Sequence, residues 1–204
     1  MPQRILVASD IHGHRDALIK LLSEAVYNAE TDQLVLLGDY VNNGPDSVGT
    51  LRLVQKLVNK GAIALVGNHE LRWLERQDSE AQAWHKFLSG LPYIKVLDSY
   101  IFVHAGIDVR VPIDKQQCEH VTAHHSVALN QHQIKGKTII HGHVPNYKLG
   151  YSKEEIHIEN GMIDIDTGAG HNMYLTLVDL TNACSYSVNV SHKDGTIRKR
   201  HLML

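Results

Sequence analysis

Five short apolar runs in this 204-residue chain each give way to a polar group beside a glycine. Ile5–Ala8 leads into Ser9-Asp10-Ile11-His12-Gly13, and Leu34–Leu37 into Gly38-Asp39. Ala62–Val66 leads into Gly67-Asn68-His69-Glu70, Tyr100–Val103 into His104-Ala105-Gly106, and Lys137–Ile140 into His141-Gly142-His143. The donors are carboxylate, amide and imidazole, with no thiolate among them. Asp10, His12, Asp39, Asn68, His104 and His143 suffice for two divalent cations if one carboxylate bridges. Such a set suits Mn²⁺, Fe or Zn²⁺ better than Ca²⁺. Two ions about 3.5–4 Å apart clamp the attacking and leaving oxygens in displacement at phosphorus. The adjoining glycines permit positive φ or a close backbone approach, as a crowded site requires.

These groups converge only if the runs are strands whose carboxyl ends share one crevice. The pattern predicts that arrangement. Ala17, Leu18, Leu21, Leu22, Ala25 and Val26 recur at helical spacing after the first run, and Pro45-Asp46-Ser47 opens a second helix ending near Lys60-Gly61. A third helix runs through Leu71 and Leu74, and Ser79–Gln82 reads as a capping box for a fourth that reaches Leu88. Alternating strands and helices imply parallel strands with right-handed crossovers. Beyond Pro92 the chain turns to strands, with expected hairpins at Asp98-Ser99, Asn160-Gly161 and Lys193-Asp194-Gly195. Residues 110–135 are polar and weakly patterned. The expected fold is an α/β (α+β) sandwich of two packed mixed β-sheets with helices outside, one domain over residues 1–204.

Composition narrows the function. With 43% apolar residues there is material for one core, and 20 basic against 22 acidic residues leave a net charge of −2. That balance argues against an electrostatic nucleic-acid binder, which carries a basic excess. The longest apolar runs are four or five residues. A membrane helix needs about 20 and a secretory signal about 7–15, so neither is expected. Cys118 and Cys184 form no metal-type pair and suit a reducing cytoplasm. Fifteen histidines are an unusual stock of metal ligands and proton carriers.

The motifs resemble those of the calcineurin-like metallophosphoesterases, and among them the bacterial phosphoprotein-phosphatase (PPP) branch. That branch reads GDxHG, GDxVDRG, GNHE, HAG and a GHTP-like segment. Here SDIHG (9–13), GDYVNNG (38–44), GNHE (67–70), HAG (104–106) and GHVP (142–145) follow in the same order. PDS at 45–47, FVHAGI at 102–107 and IDTGA at 165–169 extend the likeness. The resemblance implies that Asp10, His12 and Asp39 hold one ion and that Asp39, Asn68, His104 and His143 hold the other. It further implies a metal-bridging hydroxide as nucleophile and His69 as general acid. Mn²⁺ is the expected metal.

Departures bear on the substrate. Asn42 and Asn43 stand where the family has the aspartate and arginine of DRG. Asn42 can accept a hydrogen bond through its carbonyl but stabilises an imidazolium less than a carboxylate does. Asn43 cannot supply the bidentate contact of a guanidinium. Val66 replaces another common arginine, and the usual arginine-bearing segment gives way to the His/Gln-rich stretch 117–133. Arg15 and Arg72 are candidate substitutes. His14, His124, His125, His141 and His171 read as structural or surface residues. The leading expectation is a phosphomonoesterase resembling serine/threonine protein phosphatases. Next comes a dinucleoside polyphosphate or phosphodiester hydrolase, since symmetrical dinucleoside tetraphosphate hydrolases also lack that aspartate. Last is a module that binds phosphorylated partners without turnover.

Overall fold

The computed structural model describes residues 4–108, 110–123, 134–192 and 195–204. One sheet has strand order β11-β10-β9-β1-β2-β3. Its members are β1 (Arg4–Ala8), β2 (Asp32–Leu36), β3 (Ile63–Ala64), β9 (Tyr174–Asp179), β10 (Cys184–Asn189) and β11 (Ile197–His201). The other has order β4-β5-β6-β8-β7, from β4 (Ile94–Leu97), β5 (Tyr100–Val103), β6 (Thr138–His141), β7 (His157–Glu159) and β8 (Met162–Asp164). Both sheets are mixed. β1, β2 and β3 run parallel, as do β5, β6 and β8.

Strand alternation builds the layers. Ile5 and Val7, Val35 and Leu37, and Phe102 share one core between the sheets with Ile140, Ile163 and Val178. The intervening Leu6, Ala8, Leu34 and Leu36 face the helices instead. A strand buried on both faces reads as an unbroken apolar run, which is why these segments were legible. Helices α1 (Arg15–Glu24), α2 (Ser47–Val58), α3 (Asn68–Glu75) and α4 (Ser79–Leu88) cover that face with Leu18, Leu21, Leu51, Val54, Trp73 and Leu88. α5 (Cys118–Ala123) sets Val121 against the outer face of the second sheet. This is the sandwich expected from the sequence. Among the described residues no helix is long and apolar enough to cross a membrane.

Several local expectations change. Val26 is not on the helical face: α1 ends at Glu24, and Val26 is exposed with φ 50°. β3 is shorter than Ala62–Val66, because Val66 donates its N–H to Pro92 rather than to β2 as the chain swings toward α3. Asp78, not Ser79, caps α4, its carboxylate accepting from Ala81 N. The Asn160-Gly161 turn has positive φ at both residues, as a two-residue hairpin requires. Within 110–135 the structure adds a 3₁₀ turn at Ile113–Lys115 and α5. His124, His125, the remainder of the stretch to residue 133, and Lys193-Asp194 lie outside the described residues.

Candidate metal centre

The strand ends do meet. The loop after β1 is zipped to the loop after β2: Asp10 N donates to Gly38 O, His12 N to Asp39 O and Gly13 N to Tyr40 O. Within the second sheet Gly142 N donates to His104 O, and across the sheets His143 N donates to Asp10 Oδ2. Asp10, His12, Asp39 and His143 all have positive φ, between 46° and 75°. Such conformations cost of order 1–3 kcal/mol each and persist where the surroundings over-determine them. Here the surroundings include glycines that pass directly against the donors. A Cβ on Gly67 would collide with Asp39 Oδ1, and one on Gly142 with Asp10 Oδ2.

Each acid has one oxygen tied down and one facing the gap. Asp39 Oδ1 accepts from His69 N at 2.9 Å. Its Oδ2 lies 3.4 Å from His104 Nε2, 3.7 Å from His12 Nε2 and 3.9 Å from His69 Nε2. Asp10 Oδ2 accepts from Ser9 Oγ and from His143 N, while Oδ1 lies 3.8 Å from His12 Nε2. Asn68 Oδ1 is 3.0 Å, and His143 Nδ1 3.2 Å, from His104 Nε2. The ring orientations are set from behind: His12 Nδ1 bonds Val41 O and His104 Nδ1 bonds Leu37 O. That leaves both Nε2 atoms directed into the gap, the arrangement a metal-ligating histidine needs. Two groups of donor atoms lie within 4.8 Å of one another, His12/Asp39/His69 and Asp39/His104/His143. They share Asp39. The donors fit a pair of divalent cations bridged by that carboxylate.

The carboxylates and imidazoles of the cage set one another's charge. Burial opposes ionisation of Asp39, yet the imidazoles of His104, His12 and His69 hold it well below its ordinary value. Burial likewise opposes the charge on His104, but Asp39, Asp10 and Glu70 push it up to about 10. Cations would take over the role of that proton.

The general-acid position departs from the sequence expectation. Trp73 Nε1 donates to Asn42 Oδ1 at 2.8 Å, and Asn42 Nδ2 lies 2.9 Å from His69 Nδ1. Indole can only donate, so the Asn42 carbonyl is taken and its NH₂ is what faces His69. Asn42 therefore donates to Nδ1 rather than accepting from it. His69 is held neutral, with its proton on Nε2, toward Asp39. Burial also lowers its affinity for a second proton.

Asn43 and Arg72 line the metal pocket, a cavity of about 330 Å³, together with His12, Asp39, Asn68, His69 and His143. Asn43 Nδ2 is 3.5 Å from His12 Nδ1. Arg15 is elsewhere. It lines a separate cavity, paired with Asp46 and Asp16 at 2.9 Å each, because the first turn of α1 points away from the gap.

Sequence reasoning passed over three residues, Glu70, Asp166 and Lys148. Glu70, fully buried, accepts from the N–H groups of Asp39, Tyr40, Val41 and Gly67, binding the Asp39 loop to α3. Burial and the Asp39 charge raise it to about 7. Asp166 lines the pocket, and burial with Asp10 and Asp164 nearby holds it well above its ordinary value. Its local sequence, Asp164-Ile165-Asp166-Thr167-Gly168, alternates polar and apolar residues and lacks the unbroken apolar run that marks the other donors. Lys148 and His171 also line the pocket, His171 from the exposed position expected of it. His14 and His141 are buried.

Comparison with known proteins agrees with this geometry. A 65-residue stretch is 49% identical to the symmetrical bis(5'-nucleosyl)-tetraphosphatase of Aliivibrio fischeri strain MJ11, covering 32% of this chain and 24% of that protein. The enzyme of the same name from Vibrio parahaemolyticus is 32% identical over 130 residues, 55% of this chain and 48% of that protein. The matched region thus spans between about a quarter and half of these relatives. A solved structure of a protein provisionally assigned as a diadenosine tetraphosphatase superimposes with a TM-score of 0.71. It is 24% identical and covers all of this chain and 96% of its own, a likeness of fold. The calcineurin-like phosphoesterase pattern matches residues 3–169, a span that contains all six donors of the cage. On that match the chain belongs to the calcineurin-like phosphoesterase family.

Proposed function

We propose that this chain hydrolyses nucleotide phosphoanhydrides, with a dinucleoside polyphosphate as the substrate class, and that a phosphodiester is the nearest variant. Asp10, His12 and Asp39 would hold one divalent cation, and Asp39, Asn68, His104 and His143 the other, with Mn²⁺ the metal best suited to the donors. When bound, such a pair supplies an activated water and neutralises charge on the phosphoryl oxygens. In the net reaction water oxygen bonds to phosphorus, the P–O anhydride bond breaks, and a nucleotide phosphate departs. His69 presents its Nε2–H toward that departing oxygen.

The observation that carries the substrate class is the hydrogen bond from Asn42 to His69. An amide that donates to Nδ1 opposes the imidazolium form, so His69 is a weak acid. An alkoxide leaving group, as from phosphoserine, is strongly basic and needs a proton; a phosphate leaving group needs much less help. The names of the similar proteins point the same way. A phosphomonoesterase acting on phosphorylated proteins comes second: the five motif blocks favour it, but the weak acid and Asn43 do not. The unpaired thiols of Cys118 and Cys184 suit work in a reducing cytoplasm.

The test is turnover of diadenosine tetraphosphate, the monoester phosphoserine and bis(p-nitrophenyl) phosphate by the Mn²⁺-supplied protein. We expect kcat/KM for the tetraphosphate to exceed that for the monoester by at least about tenfold, a barrier difference of about 1.4 kcal/mol. A preference for the monoester would reverse the order of the two readings.

A further inference from the structure

The proposed reaction needs a cation for phosphate oxygens that the metal ions do not reach, and position 43 offers only an amide. Two cationic side chains among the described residues line the metal pocket, Arg72 of α3 and Lys148 of the 3₁₀ turn Asn146–Leu149. Both are exposed, and neither pairs with a carboxylate among the described residues. Lys148 is nonetheless aimed. Its Nζ lies 2.9 Å from Nε2 of His171, in the 3₁₀ turn Ala169–His171, so the imidazole accepts and is neutral with its hydrogen on Nδ1. Tyr147 braces that ring edge-on, 5.9 Å between centroids.

Both turns are tied to the walls of the metal pocket. Asn146 is fully buried; its N–H donates to Asp166 O and its side chain to Glu155 O. Gly170 packs against the ring of His12 so closely that a Cβ there would collide with it. The ammonium is therefore held at the rim, while Asp10, Asp39 and His104 lie at the floor, each no more than 2% exposed. Lys148 and the cage line one pocket, so a phosphate chain that begins at the floor passes the ammonium on its way out. A lysine held by a neutral imidazole can turn to a phosphate oxygen without breaking an ion pair, and gains a stronger, charge-assisted hydrogen bond.

We propose that Lys148, aimed by His171, binds the non-reacting phosphates of a polyphosphate chain and takes over the substrate clamp from the arginine absent at position 43. The proposal rests on the hydrolase reading for its substrate class, so binding is measured apart from turnover. Calorimetry would follow a methylene-bridged, non-hydrolysable analogue of diadenosine tetraphosphate titrated into the Mn²⁺-supplied protein. Lys148→Ala should weaken Kd at least about tenfold, the scale of one hydrogen bond to a charged group. Lys148→Arg should recover most of that loss, and His171→Ala should cause a smaller one. In turnover, Lys148→Ala should raise KM for diadenosine tetraphosphate well beyond its effect on KM for p-nitrophenyl phosphate, which carries only the reacting group. No binding by the wild type, an unchanged Kd in Lys148→Ala, or equal effects on both substrates would overturn the clamp. Binding with the expected variant pattern but no hydrolysis of any substrate would uphold the clamp and overturn the hydrolase reading instead.

Discussion

The two cavities at the carboxyl ends of the first sheet differ in a way that size does not report. The larger, about 630 Å³, lies beside the start of α1 and is lined by Arg15, Asp16, Lys20, Asp46 and the end of β10. Its charges are already matched: Arg15 bridges Asp16 and Asp46, and Lys20 donates to the Gly195 carbonyl. The smaller, about 330 Å³, holds three imidazole nitrogens around one carboxylate oxygen. Its rim carries two cations without carboxylate partners among the described residues. A groove whose charges satisfy one another has little to offer a charged ligand, whereas one whose charges are organised but unmatched is prepared for one. The contrast supports the smaller cavity as the place of the proposed chemistry.

The sharpest way to break this contrast is Asp39→Asn. The variant keeps the shape of the residue but removes the charge that both halves of the cage share. It should lower activity by more than about 100-fold, since even outer-shell partners of metal ligands are worth 10–100-fold. Mn²⁺ binding, followed by calorimetry, should weaken with it. A variant that retained both would place the reaction outside the cage.

A second test lies in the wall of the same pocket. In Asn42→Asp the new carboxylate can accept from His69 Nδ1–H and still accept from Trp73, so it favours the imidazolium. The wild-type imidazole is held below its ordinary value, by burial first. Activity that needs the protonated ring is therefore present at low pH and lost as pH rises through that lowered value. The substitution should move this alkaline limb upward by about 1–3 pH units, the range for an ion-pair partner. The shift should be clearest for phosphoserine, whose alkoxide leaving group needs the proton, and slight for an anhydride. A pH–rate profile with no displaced limb would show that Asn42 does not govern the His69 proton.

The smallest effect is expected at the larger cavity. Arg15→Ala removes an exposed residue whose partners are both on the surface, and kcat/KM for diadenosine tetraphosphate should stay within about twofold of wild type. A tenfold loss there would extend the substrate site into the larger cavity.

The cage was legible because strand and ligand signals coincide. Runs such as Leu34–Leu37 are buried on both faces, so their apolar sequence marks strands, and the polar residue after each run has nowhere to go but the sheet edge. Asp39 and His104 announce themselves in this way. Glu70 could have been read from its motif, where a fully buried acid needs donors and the N-terminal loop of α3 has them. Arg15 and Arg72 show the limit. Each lies within a few residues of a donor, yet helix phase sends one away from the gap and the other onto its rim. Proximity in sequence does not carry direction.

What the amino-acid sequence determined by itself was the set of donors, their order and the strands that deliver them, because alternation and apolar runs are local properties of a chain. Tertiary structure alone decided two things. It fixed which end of the Asn42 amide meets His69, through an indole 31 residues away from that asparagine that can only donate. It also brought Lys148 to His171, 23 residues apart on two separate turns. Hydrogen-bond direction and the meeting of distant side chains depend on where the backbone returns, and that is set by the packing of the whole sandwich.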